Sequence, residues 1–270
     1  MSNKKRLDVA MTEQGLAESR QKAQAVIMAG QVYVDGQKVD KAGAPVGESA
    51  RIEVRGKTMP YVSRGGLKLE KAMACWPICL EGAVCADIGA STGGFTDCML
   101  QNGAAKVFAV DVGYNQLDWR LRTHPKVVCM ERTNARYLTV EQIPQPLDFF
   151  SVDVSFISLN LILPALRPLM APGGEGVCLV KPQFEAGKDK VGKKGVVRDP
   201  EVHLEVLSQF LIHAENADFT VKDITFSPIK GPEGNIEYLG HLRAGAGVPY
   251  EGDLWELVQR SHNVWKEGRE

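Results

Sequence analysis

The sequence predicts an open α/β sheet of the nucleotide-binding type, preceded by a small α+β module. Residues 83–96 read as a short apolar strand, a turn rich in glycine and hydroxyl residues, and the start of a helix. A second apolar run at residues 107–110 ends in Asp111, so both predicted strands end in polar groups at one sheet edge. Ahead of them, residues 31–39 read as a hairpin around Asp-Gly, which is typical of a separate small sheet.

Seven apolar runs have the spacing of strands in one mostly parallel sheet of Rossmann-like type. They lie at residues 83–88, 107–110, 127–130, 147–153, 176–181, 221–226 and 235–243. Periodic helical patterns lie among them, at residues 67–74, 95–103, 159–169 and 200–217, and an amphipathic pattern follows at 254–265. The glycine- and lysine-rich segment 187–197 is predicted to be a mobile loop.

Length and composition limit the class of protein. At 270 residues, the chain has room for one large and one small domain. No apolar run approaches the roughly 18 residues of a membrane helix, and no apolar stretch of a secretory signal follows the basic residues 1–6. Because the six cysteines form no C-x-x-C pair and no metal-ligand spacing, we expect no metal site and a reduced, cytoplasmic setting.

The net charge of the chain is −1, but two segments carry a local net positive charge. Residues 1–60 contain ten Lys or Arg and seven Asp or Glu, which gives +3. Residues 181–198 contain six basic residues and two acidic ones, which gives +4. Positive stripes on a nearly neutral protein are compatible with phosphate contacts on one face, although each run alone is more typical of solvated surface.

The glycine turn after the first sheet strand is open to three interpretations. It lacks the G-x-G-x-x-G of dinucleotide enzymes, but Gly89, Ser91 and Gly93 satisfy the G-x-S-x-G of a hydrolase nucleophile. Three histidines lie downstream, as a hydrolase would need: His203, His213 and His241. In the third interpretation the turn binds S-adenosylmethionine (SAM), with Asp87 near its amino-acid part and Asp111 at its ribose. We favour SAM because this interpretation uses both acids.

The residues expected to bind this cofactor share a position at the carboxyl ends of the first three sheet strands. They comprise the turn, the two strand-end acids and an asparagine placed to reach an adenine edge. They are Asp87, Gly89, Ser91, Thr92, Gly93, Gly94, Asp111 and Asn134.

Four further residues are expected to converge beside the turn. Asp153 and Lys181 end the fourth and fifth sheet strands, while Lys68 lies on the approach helix and Glu237 on the last strand. Each alone is more often structural, but the set resembles the Lys-Asp-Lys-Glu quartet of FtsJ-type ribose 2′-O-methyltransferases. A lysine whose pKa is lowered by like charge and partial burial can take the proton of a 2′-hydroxyl. We therefore predict a catalytic set, with Lys181 as the candidate base.

The N-terminal module resembles the S4 RNA-binding domain. The resemblance is carried by residues 6–9 (Arg-Leu-Asp-Val), 15–20 (Gly-Leu-Ala-Glu-Ser-Arg), 23–27 and 30–36 (Gly-Gln-Val-Tyr-Val-Asp-Gly). It implies structured RNA as partner, with basic side chains making salt-sensitive phosphate contacts. The predicted RNA-binding residues in this module and beyond it are Arg6, Arg20, Lys22, Arg64, Arg136, Lys188 and Lys190.

In combination, these motifs resemble the TlyA family of rRNA cytidine 2′-O-methyltransferases, often labelled haemolysins. The resemblance covers residues 5–243 and implies ribosomal RNA or ribosomal subunits as partners. The domains predicted are an S4-like domain at 1–59, an FtsJ-like SAM-dependent methyltransferase domain at 60–246 and a helical tail at 247–270. Two alternatives remain: a non-catalytic RNA-binding protein with a vestigial SAM fold, and a cytolysin.

Overall fold

The fold was analysed on a computed structural model that describes residues 4–28, 30–55 and 59–267. The chain divides into two compact units, residues 1–60 and 61–270. In the segment 247–270, for which a helical tail is expected, the described residues include a helix at Leu254–Glu267.

The described residues of the first unit form two helices and five short strands. The helices are α1 (Leu7–Glu13) and α2 (Arg20–Met28). The strands are β1 (Lys5–Arg6), β2 (Val32–Val34), β3 (Gln37–Lys38), β4 (Pro45–Val46) and β5 (Ile52–Val54). Strand β1 pairs with β4, and β2 lies between β3 and β5, with antiparallel pairing throughout these strands.

The predicted hairpin around Asp35 and Gly36 is confirmed. Both residues have positive φ, 50° and 82°, which matches a two-residue turn whose twist suits the flanking strands. Leu7, Met11 and Ile27 are fully buried in the core beneath this small sheet. The unit therefore has its own hydrophobic core.

The second unit is built on one seven-stranded sheet. Its strands are β6 (Val84–Ile88), β7 (Lys106–Val110), β8 (Val127–Met130), β9 (Leu147–Val152), β10 (Met170–Val180), β11 (Phe219–Phe226) and β12 (Tyr238–Ala244). Their order is β11-β12-β10-β9-β6-β7-β8. The five strands from β6 to β10 run parallel, while β12 is antiparallel to both neighbours. The predicted fold class is confirmed.

Helices cover both faces of this sheet. They are α3 (Gly65–Cys75), α4 (Gly94–Gln101), α5 (Trp119–Arg122), α6 (Leu163–Leu166), α7 (Pro182–Glu185), α8 (Pro200–Asn216) and α9 (Leu254–Glu267). Because strand side chains alternate, neighbouring residues join different cores: Phe150 belongs to the cluster with α8 and α9, and Phe149 to the cluster with α3 and α4. Burial on both faces explains the nearly continuous apolar strands.

Two segments depart from the prediction. The expected helix over residues 159–169 is split into a 3-10 turn, the short α6 and a second 3-10 turn. Pro164 and Pro168 lack the backbone N–H that a continuous helix needs, and each begins a new piece. In the expected loop 187–197, Val197 is buried and donates its N–H to Asn235, so the end of this segment is anchored to the unit.

Across the part of the chain that the structure describes, no helix combines the length and the apolar character needed to cross a bilayer.

Candidate active site

The glycine turn connects β6 to α4 through three residues with positive φ. These are Gly89, Ser91 and Gly93, at 83°, 48° and 94°. A Cβ on Gly89 would collide with the backbone carbonyl of Asp153, so glycine there lets the loops after β6 and β9 touch. The result is a compact backbone cradle at the carboxyl edge of the sheet, suited to close approach by a ligand.

We expect Gly89→Ala to lower the free energy of unfolding more than Gly82→Ala. Both glycines have positive φ, which costs alanine about 1–2 kcal/mol, but Gly82 has open space around it. The collision at Gly89 should add about 1–3 kcal/mol and weaken SAM binding. Urea unfolding and calorimetry of the two variants measure both effects. Equal destabilisation would contradict the assigned close contact.

Asp87 anchors the turn from inside. Its carboxylate is 1% exposed and accepts the backbone N–H and hydroxyl of Thr96, at 2.9 and 2.7 Å, and the hydroxyl of Ser151 at 3.0 Å. Burial raises the pKa of Asp87 to about 6, against the opposing effect of these hydrogen bonds. The contacts assign the carboxylate to holding α4 against the sheet, and a direct cofactor contact stays a prediction.

Asp111 and Asn134 lie in the loops after the next two strands. Asp111 accepts the backbone N–H groups of Ser91 and Gly113, both at 2.7 Å, so the acid sits beside the glycine turn as expected. Asn134 is exposed and caps a 3-10 turn by accepting the N–H of Arg136 at 3.1 Å. Thr92 is exposed on the turn, and Gly94 begins α4. The predicted cofactor residues therefore share one edge of the sheet.

The four predicted catalytic residues form one connected cluster. Lys68 Nζ lies 3.2 Å from Asp153 Oδ2 and 2.9 Å from Glu237 Oε2. Lys181 Nζ lies 2.5 Å from Asp153 Oδ1 and 3.3 Å from the hydroxyl of Ser155. Asp153 thus bridges the two lysines, and Glu237 extends the chain of contacts. Their convergence was predicted, while their catalytic roles remain a proposal.

Burial and charge act in opposite directions on this cluster. Burial disfavours the ammonium of Lys68, but the attraction of Asp153 and Glu237 outweighs it and raises the pKa of Lys68. Burial likewise disfavours the carboxylate of Asp153, yet the ammonium groups of Lys68 and Lys181 lower its pKa. Lys68 is therefore held firmly as a cation between two acids.

Close packing positions the helix that carries Lys68. A Cβ on Gly94 would meet the Ser63 hydroxyl and the backbone N of Gly66, so α3 begins directly against the glycine turn. Asp97 of α4 also accepts the backbone N–H of Val62 at 2.8 Å. The cofactor turn and the Lys68 helix thus form one packed assembly.

An aromatic residue missed in the sequence lies in the loop that follows Asp153. Phe156 is 90% exposed and has a φ of 62°, an uncommon backbone conformation for a bulky residue. Its ring lies 4.9 Å from that of Phe184, and Glu185 holds the loop by accepting the Ser158 hydroxyl at 2.6 Å. Its position three residues after the predicted catalytic acid Asp153 was the sequence signal that could have identified Phe156 as part of the site.

The predicted RNA-binding residues are distributed over both units. Arg6 and Arg20 contact Asp8, Lys22 pairs with Glu18 and Lys190 pairs with Glu205. Those that lie at exposed positions are Arg6, Arg20, Lys22, Arg64, Arg136, Lys188 and Lys190. Exposure leaves them accessible to a polyanion, and RNA contact remains a prediction.

The arrangement does not favour a hydrolase. His203 is buried, with its ring nitrogens 2.8 Å from the Tyr238 hydroxyl and 3.1 Å from the Val197 carbonyl. His241 stacks on Trp76, and its Nε2 lies 3.3 Å from Glu175 Oε2. Among the described residues, no group of three or more His, Cys, Asp or Glu side chains is placed to hold a metal ion.

The sheet order, the glycine turn and the acid after β7 define a SAM-dependent methyltransferase of the Rossmann-like class. Residues 61–244 match the FtsJ-like methyltransferase family, and residues 5–52 match the S4 domain. The chain belongs to the TlyA family of FtsJ-like methyltransferases, which the relatives below support.

Two relatives and one solved structure illustrate this membership. "Putative rRNA methyltransferase YqxC" of Bacillus subtilis is 50% identical over 98% of this chain and 97% of its own length. "16S/23S rRNA (cytidine-2'-O)-methyltransferase TlyA" of Mycobacterium tuberculosis is 43% identical over 90% of this chain and 91% of its own. The structure of "Putative hemolysin from Streptococcus thermophilus" superposes with a TM-score of 0.79 at 45% identity, covering 99% of each chain.

Proposed function

We propose that this protein transfers a methyl group from SAM to the ribose 2′-hydroxyl of a cytidine in ribosomal RNA, with the large subunit as the first candidate substrate. The observation that carries the proposal is the cluster in which Asp153 bridges Lys68 and Lys181 while Glu237 holds Lys68. The relative from M. tuberculosis bears the name of an rRNA cytidine 2′-O-methyltransferase. The S4 domain supports RNA as the substrate.

The residues around the turn fit the proposed cofactor. Gly89 and Gly93 adopt positive φ and pack closely against neighbouring segments, which keeps the turn compact, and Asp111 presents a carboxylate beside it, suited to ribose hydroxyls. When bound, SAM supplies an already activated methyl group. The protein then has to align the ribose oxygen and remove its proton.

We assign proton removal to Lys181. Lys68 contacts two carboxylates, which favour its ammonium form, whereas Lys181 contacts one. Lys181, once its own ammonium group has released a proton, would accept the proton of the 2′-hydroxyl, and the fixed charge of Lys68 would stabilise the developing alkoxide. Asp153 orients both amines, and Glu237 acts on Lys68. The ribose proton would pass to Lys181 Nζ, and the bond between the methyl group and the SAM sulfur would break as the methyl–oxygen bond forms, which leaves a neutral thioether.

The test is transfer of a tritiated methyl group to separately purified ribosomal subunits from a strain that lacks the enzyme. Label in one subunit, mapped to a cytidine 2′-oxygen, is the expected result. Label on a base would reject the reaction. Absence of SAM binding by calorimetry would instead favour the non-catalytic RNA-binding alternative. The substrate implies a cytoplasmic site of action, which stays a prediction.

Phe156 is predicted to stack on a base of the bound RNA. An exposed ring beside the cluster offers a face for stacking, which contributes about 1–3 kcal/mol per base. Phe156→Ala should therefore raise the KM for RNA about tenfold, while SAM binding is unchanged. Steady-state methylation and calorimetry separate the two effects.

Two variants serve as controls for the Phe156→Ala prediction. Phe156→Tyr keeps an aromatic face and should stay near the parent, and Ile212→Ala removes an exposed apolar side chain of α8 outside the proposed site. Unchanged kinetics of Phe156→Ala would contradict stacking.

A further inference from the structure

Asp8 in the first unit is a buried carboxylate that holds two exposed guanidinium groups. Its side chain is 0% exposed, whereas the side chains of Arg6 and Arg20 are 53% and 57% exposed. Arg6 donates Nε and Nη2 to the two carboxylate oxygens, at 3.0 and 2.9 Å. Arg20 donates Nη2 to Oδ2 at 3.3 Å. The buried Asp8 carboxylate thus binds one arginine from β1 and one from α2.

The carboxylate is itself fixed from two further sides. Gln24 of α2 donates its side-chain amide to Asp8 Oδ2 at 2.8 Å, and the backbone N–H of Val9 donates to Oδ1 at 3.0 Å. The Arg6 guanidinium, followed by the amide of Gln24 and by Arg20, holds the pKa of Asp8 well below its usual range despite burial. Asp8 is therefore an ionised, immobile anchor.

We propose that Arg6 and Arg20, held by Asp8, form one preset binding site for an RNA phosphate, in which Asp8 is a positioning residue. The site rests on the proposed function, because that function supplies RNA as the polyanion. A guanidinium has five N–H donors, and these contacts use two of Arg6 and one of Arg20. Both groups therefore keep donors on their exposed edges for phosphate oxygens.

Preorganisation is the physical gain from this arrangement. A free arginine loses side-chain entropy when it binds a phosphate, and two adjacent guanidinium groups repel each other. The Asp8 carboxylate offsets the repulsion and fixes both side chains before RNA arrives. Arginine also matches the geometry of a phosphate with paired N–H groups, which a lysine ammonium does not.

Removal of the Asp8 carboxylate should change RNA affinity in the direction opposite to the one that net charge alone predicts. Removing a carboxylate from a nucleic-acid-binding face should strengthen binding if only net charge mattered. If Asp8 positions the arginines, Asp8→Asn should weaken RNA binding about tenfold, and the slope of log affinity against log salt should become shallower by about one. Fluorescence anisotropy of the full chain with a labelled RNA hairpin, over a series of salt concentrations, measures both quantities.

The matched control is Glu13→Gln on the same helix. Glu13 pairs with Lys5 at 2.8 Å, and both side chains are exposed, so its loss changes the charge equally without touching the arginine pair. This variant should bind as tightly as the parent or more tightly. Arg6→Lys keeps the charge and the carboxylate but loses the paired geometry, and it should weaken binding about tenfold even if Asp8→Asn fails to fold.

The outcomes separate this site from the proposed function. A parent protein that binds the hairpin, together with Arg6→Lys or folded Asp8→Asn proteins that bind as tightly as the parent, would overturn the phosphate site alone. A parent that neither binds the hairpin nor methylates ribosomal subunits would overturn both proposals. Weaker binding by the folded variants, with Glu13→Gln unaffected, is the result we expect.

Discussion

Lys181→Ala should lower the kcat of methyl transfer about 10³-fold while RNA and SAM binding survive. The amine of Lys181 lies against Asp153 and the hydroxyl of Ser155 at the edge where the glycine turn and Phe156 are exposed. No other assigned group would then remove the ribose proton, because Lys68 is held as a cation by two carboxylates. Single-turnover methylation of purified subunits measures this step directly.

Binding assays provide the controls for this variant. Calorimetry with SAM and a filter-binding assay with rRNA should give parent-like affinities. Lys106→Ala removes an exposed lysine contact to Gln145 at the opposite end of the sheet and should leave kcat unchanged. Turnover by Lys181→Ala at the parent rate would reject the assignment of the base.

Asp153→Asn should reduce kcat by about 10²-fold, because it removes the carboxylate that contacts both lysines. The remaining contact of Lys68 is with Glu237, and Lys181 loses its ion pair. Asp153 raises the pKa of Lys68, so its loss should make Lys68 lose its charge, and residual activity decline, at lower pH than in the parent. The pH–rate profile measures this shift, which general damage to the fold would not produce.

The same substitution has a predicted effect on stability. The ammonium groups lower the folded-state pKa of Asp153, so its charge stabilises the fold above the unfolded-state pKa and this contribution is lost as pH falls. The parent should therefore lose free energy of unfolding relative to Asp153→Asn as pH falls below about 4. Asp148→Asn, at the start of the same strand, is the matched control. A pH-independent difference would contradict the assigned ion pairs.

Sequence reasoning was most effective where strand order determines position. Asp153 and Lys181 follow neighbouring parallel strands, so the rule that strand ends share one edge was enough to bring them together. Placing Glu237 in the cluster needed the resemblance to FtsJ-type methyltransferases, because a periodic pattern does not reveal the chain direction of β12. The split of helix 159–169 could have been expected from its two prolines.

Side-chain partners were much less predictable. The Asp87 carboxylate accepts hydrogen bonds from Thr96 and Ser151, contacts that depend on how α4 packs on the sheet and that the sequence did not indicate. Phe156 looks in sequence like any apolar residue, and its exposure follows from a loop conformation with no periodic signature. Asp8 is an acid within an RNA-binding motif, and two of its partners, Arg20 and Gln24, come from a different helix.

The position of Glu237 late in the sequence, just ahead of β12, also has a consequence for the synthesis of the enzyme. Glu237 is synthesised 169 residues after Lys68, whose ammonium it contacts. A nascent chain that has not yet reached β12 lacks Glu237, one of the four side chains of the cluster. It also lacks the strand that lies between β10 and β11 in the sheet. We therefore expect a chain that stops before Glu237 to lack the contact that holds Lys68 and to be inactive in methyl transfer.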